Sequence, residues 1–268
     1  MVSTEHPTGH KTSQKRQLLK ALHARIGKER LETVGTLEEL KREYGRLKLS
    51  DDMSLSDSKY DCATQVSMPD PPMGPKEQKP GPEDIWVGLW GVIPRWKSGE
   101  TVNYTAYKNG WVSPSHAYYA AYKLYEAAEK WNSLKVGVKF HYVSHLEDAA
   151  FVLAYGGDGG STLAKGFFPN SNDLNTVFVY QRAFQAGMAN NMTNIFLHEL
   201  GHVLGLRHEF AAQEGGAIQW GSNNPLSVMS YNFPPQIQES DKKDARSFYD
   251  FKGTSMGGYR IQDVIPDN

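Results

Sequence analysis

Apolar residues recur at helical spacing twice near the start of the chain: Leu18, Leu19, Leu22 and Ile26, then Leu37, Leu40, Tyr44 and Leu47. Steps of three and four residues predict two amphipathic helices within residues 15–50. Thr36, with Glu39 three positions on, predicts a capping box opening the second. Residues 51–67 are rich in Ser and Asp and read as irregular. Six of the 14 prolines (Pro69, Pro71, Pro72, Pro75, Pro80 and Pro82) then fall within residues 68–83, which predicts an extended linker.

Beyond Trp86 the pattern becomes that of an α+β domain. Thr101 to Thr105 predicts a strand, and Ser113-Pro114 supplies an N-cap with proline at the first helical position. Ala117, Ala121, Leu124, Ala128 and Trp131 share one face of the helix that follows. Residues 138–143, 150–155 and 176–180 read as strands by their β-branched and aromatic content, with turns at GGDGGS and FPNSND between them. Further helices are predicted over about 192–206 and 241–251. Trp86, Trp90 and Trp96 read as core anchors. The chain thus divides into a helical segment (1–67), a linker (68–83) and an α+β domain (84–268).

Charge narrows the function. With 29 Lys+Arg against 30 Asp+Glu the net charge is -1, which leaves no basic excess for a phosphate backbone and argues against nucleic acid as a partner. The longest apolar stretch, around residues 149–155, is too short for a membrane span. The N-terminal MVSTEHPTGHKTSQKRQ is polar and basic, without the apolar core of a secretory leader, so the compartment stays open. Cys62 is the single cysteine, which excludes an intrachain disulfide or a CxxC metal pair.

The chemistry concentrates in NIFLHELGHVLGLRHEF. On a helix, His198 and His202 differ by ~40° in direction and stand one turn apart, so both imidazoles reach one metal ion. Glu199 is offset by ~100°, poorly placed as a ligand but well placed as a general base towards a metal-activated water. Gly205 can turn the chain back in a left-handed conformation and return His208 as a third ligand. Three imidazoles leave a fourth position open, the mark of a catalytic zinc rather than a structural one. The five fixed positions together arise by chance in roughly one chain in ten thousand.

HExxHxxGxxH resembles the zinc signature of the metzincin metalloproteases. The resemblance spans about residues 86–251 and implies a zincin catalytic domain: a mixed twisted sheet, an active-site helix, a Met-turn and a C-terminal helix. Ser227-Val228-Met229-Ser230-Tyr231 is similar to that turn in its serralysin and astacin form, which implies Met229 as a packing floor and Tyr231 as a movable zinc ligand or oxyanion donor. HELGHVLGL and YGGDGGSTLAKGFFP look like matrixin segments, whereas Glu209 after His208 resembles the astacin pattern. The implied function is a zinc-dependent metalloendopeptidase acting on protein or peptide substrates, with one catalytic zinc ion. The substrate would lie along a sheet edge near Leu163 to Phe168, beside a pocket walled by Asn232 to Pro235. Residues 1–67 become a candidate pro-region, with Cys62, or Asp57 or Asp61, as a candidate latency ligand.

The same comparison points to calcium in the loops at Asp158 and Asn170 to Asp173, which nothing else in the sequence supports. His141 and His145 read as solvated. Two other readings use the same ligands: a catalytically inactive zinc-stabilised binding module, and a hydrolase acting on a non-peptide bond.

Overall fold

The computed structural model describes residues 8–47, 85–89, 91–172, 174–209, 211, 216–221 and 224–268. Asp57, Asp61, Cys62, the proline-rich linker, Trp90 and Asp173 lie outside the described residues. The centre of the molecule is a five-stranded sheet in the order β4-β3-β5-β7-β6. Its strands are β3 (Thr101–Ala106), β4 (Lys139–Tyr142), β5 (Phe151–Tyr155), β6 (Ala164–Lys165) and β7 (Asn175–Val179). The first four neighbours in that order run parallel, and β6 alone is antiparallel, closing one edge against β7.

Mostly parallel sheets need cover on both faces. One face carries Tyr104, Phe140, Phe151, Leu153, Val177 and Val179, packed with helices α3 (Pro114–Ser133) and α4 (Met192–Val203) in the main core. Helix α3 starts as the sequence predicts, with the Ser113 side chain accepting from His116 N and Pro114 in the first turn. All five residues assigned to its apolar face are buried. The opposite face, at Val152, packs on Leu146, Leu19 and Leu31. Leu19 belongs to α1 (Thr8–Ile26) and Leu31 to the 3₁₀ turn Lys28–Leu31. Helix α2 (Leu37–Arg46) follows, and its capping box forms as read: Glu39 N donates to Thr36 Oγ1 at 3.2 Å and Thr36 N to Glu39 Oε2 at 2.8 Å.

Two further sheets were not foreseen. β1 (Ile85–Val87) lies between β8 (Leu206–Arg207) and β9 (Ile218–Trp220). β2 (Val92–Trp96) runs parallel to β11 (Tyr259–Val264), which forms a hairpin with β10 (Ser255–Met256). The domain therefore does not end with helix α5 (Glu239–Asp250). Arg95 explains the attachment: buried, it donates Nε to Asp263 at 2.7 Å and Nη2 to Phe251 O at 3.0 Å. Helix α4 stops at Val203, short of the predicted 206, because Gly205 reverses the chain there. Among the described residues no helix is long and apolar enough to cross a membrane.

Trp96 is the anchor that the sequence predicts: it is buried, and its Nε1 donates to Val203 O, at the end of α4, at 2.7 Å. Trp96→Phe keeps the apolar ring and removes the donor, leaving a buried carbonyl unpaired. The expected loss is about 1–3 kcal/mol, read as a lower urea midpoint with an unchanged m value.

Candidate metal centre

Helix α4 is almost wholly buried, and His198, Glu199 and His202 are each 0% exposed, as is His208. The helix is held in register by donors from three elements that reach its carbonyls. Trp131 Nε1 from α3 donates to Leu197 O at 3.0 Å, Trp96 to Val203 O, and the Tyr249 hydroxyl from α5 to Leu204 O at 2.9 Å. The last two contacts satisfy carbonyls that a helix C-terminus leaves without partners. Gly205 then takes φ +91°, and a Cβ there would meet Pro94 O at 2.6 Å. The chain returns as β8, pinned to β1 by the pairs Trp86–Arg207 and Val87–Leu206, and His208 follows directly.

The ligand atoms of His198, His202 and His208 lie within 4.8 Å of one another, and these three form the one such cluster among the described residues. His208 Nε2 is 3.2 Å from Nε2 of His198 and 3.2 Å from Nε2 of His202. Two zinc–nitrogen bonds of ~2.0–2.1 Å at a tetrahedral angle span about 3.3 Å between their nitrogens, so the spacing suits one zinc ion.

Protonation points the same way. His198 Nδ1 lies 2.7 Å from Val228 O, and His202 Nδ1 lies 2.8 Å from Leu206 O. A carbonyl only accepts, so both Nδ1 atoms carry the proton and both Nε2 atoms present lone pairs when the rings are neutral. Burial keeps them neutral: it lowers His198 to about 4, and lowers His208 to about 2 with help from His198 and Arg207. His202 falls well below its ordinary value, first through burial and then through His208 and His198. A single N–H on His208 could not serve two facing lone pairs well, whereas a shared cation serves all three. The residues present fit zinc.

Val228 belongs to the turn Ser227 to Tyr231, beneath the histidines. Met229 is fully buried, and its Sδ lies where a Cβ on Gly201 would stand, so the turn approaches α4 only because residue 201 is glycine. Asp241, at the start of α5, fixes this turn: it accepts from Ser227 Oγ at 2.6 Å, Val228 N at 2.9 Å and Gln238 N at 2.7 Å. The sequence reading missed Asp241, because a carboxylate in the first turn of a helix reads equally well as a cap. The Tyr231 ring stands edge-on to His208 with centroids 4.9 Å apart, and the residue is 38% exposed.

Glu199 is not part of the three-histidine cluster. Its Oε2 accepts from Gly166 N at 2.6 Å, just beyond the edge strand β6. Phe168, on the same segment, sets its ring 5.4 Å from that of His202. Glu209 is half-buried, and burial, with Asp241 and Asp244 adding to it, raises its carboxyl to about 7. His141 and His145 are exposed. Among the described residues no acidic cluster forms at the Asp158 or Asn170 loops, so calcium gains no support.

A family model described as Matrixin matches residues 105–249, more than half of the chain, and takes in strands β4 to β7, helices α3 and α4, the three histidines and the Met-containing turn. The chain belongs to the matrixin family, within the metzincin zinc metalloproteases. A search of curated proteins gives no match.

Gly205→Ala tests the reversal that delivers His208. A side chain there is strained at φ +91° and meets a backbone oxygen, so stability should fall by about 1–3 kcal/mol. Zinc affinity, measured by competition with a chromogenic chelator, should fall with it.

Proposed function

We propose that this chain hydrolyses internal peptide bonds, with His198, His202 and His208 as the zinc ligands and Glu199 as the general base. The observation that carries the reading is the convergence of three neutral, buried imidazoles beside a carboxylate that is held apart from them. When bound, zinc supplies Lewis-acid polarisation of a carbonyl and lowers the pKa of a water.

The chain's own groups do the rest. The Gly166 N–H orients the Glu199 carboxylate, which takes the proton of the attacking water and passes it to the leaving amine. The Tyr231 hydroxyl donates to the oxygen on which negative charge develops. The edge strand at Ala164–Lys165, extended by residues to Phe168, pairs with an extended peptide through main-chain hydrogen bonds. The segment after the Met-turn, Asn232 to Pro235 with its cis Phe233–Pro234 bond, walls the side-chain pocket.

Glu199→Ala should retain one zinc per chain and the fold while peptide cleavage falls by about 10²–10⁴; unimpaired turnover would remove Glu199 from the mechanism. Tyr231→Phe should lower kcat by about tenfold to a hundredfold with little change in KM, and an unchanged kcat would leave Tyr231 a structural role. A chelator should abolish cleavage of a peptide library and stoichiometric zinc should restore it. Zinc-loaded protein that cleaves nothing would favour the binding-module reading.

A further inference from the structure

The described part of the N-terminal segment packs where a removable cover would have no reason to be. Its partners include α3, the ends of β3 and β4, Val152 on β5, the turn at Leu146–Asp148 and Asp267 near the C-terminal end of the sequence, and none of these carries the histidines. Backbone pairing comes first. Val34 N donates to Ala106 O at 3.1 Å and Lys108 N to Glu32 O at 2.8 Å, with Thr33 bridged to Tyr107 between them. The segment thus pairs, antiparallel, with the chain where it leaves the central sheet.

Side chains reinforce the pairing. Thr33 Oγ1 donates to Ser144 O at 2.6 Å, and the Tyr142 hydroxyl to Gly35 O at 2.7 Å. Leu40 is 0% exposed and Val34 3%, and both belong to the same core as α3 and α4. The Tyr44 ring stacks on Tyr122 with centroids 3.8 Å apart, and Lys123 lies over Tyr44. On the other side, Leu19 and Leu31 cover Val152 in the middle of β5, and the buried Lys15 Nζ donates to Asp267 O at 2.6 Å. Taking this segment away would expose one face of a mostly parallel sheet and strip an aromatic stack from α3, which no pocket of water can replace.

We infer that residues 8–47 are a permanent layer of the catalytic domain, not a detachable pro-segment. A cut in the connection between Leu47 and Ile85 leaves a two-chain protein in which the N-terminal piece stays docked. This departs from the removable pro-region that the family resemblance implies, and it does not depend on peptide cleavage by the site.

The test uses the full chain with a specific protease recognition sequence placed between Pro72 and Pro80. After complete cutting, both fragments should co-elute on gel filtration at micromolar concentration and melt in one transition. Separation of the fragments on the column overturns the inference. In the uncut chain, Leu40→Ala should lower the Tm of that single transition by about 5–15 °C. An unchanged Tm, or a separate low-temperature transition for the N-terminal piece alone, also overturns it. Neither readout involves turnover, so failure here is distinct from failure of the proposed activity.

Discussion

Two main-chain carbonyls decide what the three histidines can do. Val228 O and Leu206 O each take the Nδ1 proton of one imidazole, so the other nitrogen of each ring is left as a lone pair aimed at a common point. Neither carbonyl comes from the helix that bears the histidines. One belongs to the Met-turn and the other to the strand after Gly205, so the donor set exists only when both segments are in place.

The supports behind those carbonyls follow from the same requirement. Asp241 ties the Met-turn to α5 through three hydrogen bonds, and β1 clamps the returning strand at Leu206. Donors from β2 and α5 close the carbonyl end of α4, and one from α3 braces its middle. A buried helix end needs such partners because no water reaches it. The result is a braced floor beneath the three histidines, with the more exposed Tyr231 ring edge-on to His208.

Much of this was legible in residue order. Histidine spacing, Gly205 and the capping signals at Thr36 and Ser113 act within one or two turns, so sequence distance is a fair guide to them. The β-branched and aromatic content of the central strands likewise marked the sheet, because the residues it packs into the core are large and apolar. Gly166 and the β2–β11 pairing were not legible, since each partner lies far along the chain, and Asp241 was not because a first-turn carboxylate reads as an ordinary cap. The C-terminal hairpin did leave a trace, the Gly257-Gly258 loop between β10 and β11, but its strand is half polar and reads as a tail. The N-terminal helices were visible as helices; what they cover became clear only from Val152, whose face of the sheet α1 buries, and from Leu40 of α2 in the core shared with α3.

The parallel pairing of β2 with β11 also joins two distant parts of the chain. Trp96, which closes the end of the histidine-bearing helix, sits on β2, yet the strand that completes its sheet is translated long after α4. Closing so long a loop carries an entropic cost that local helix formation does not. The brace on the end of the histidine-bearing helix therefore rests on a strand pairing between segments more than 150 residues apart.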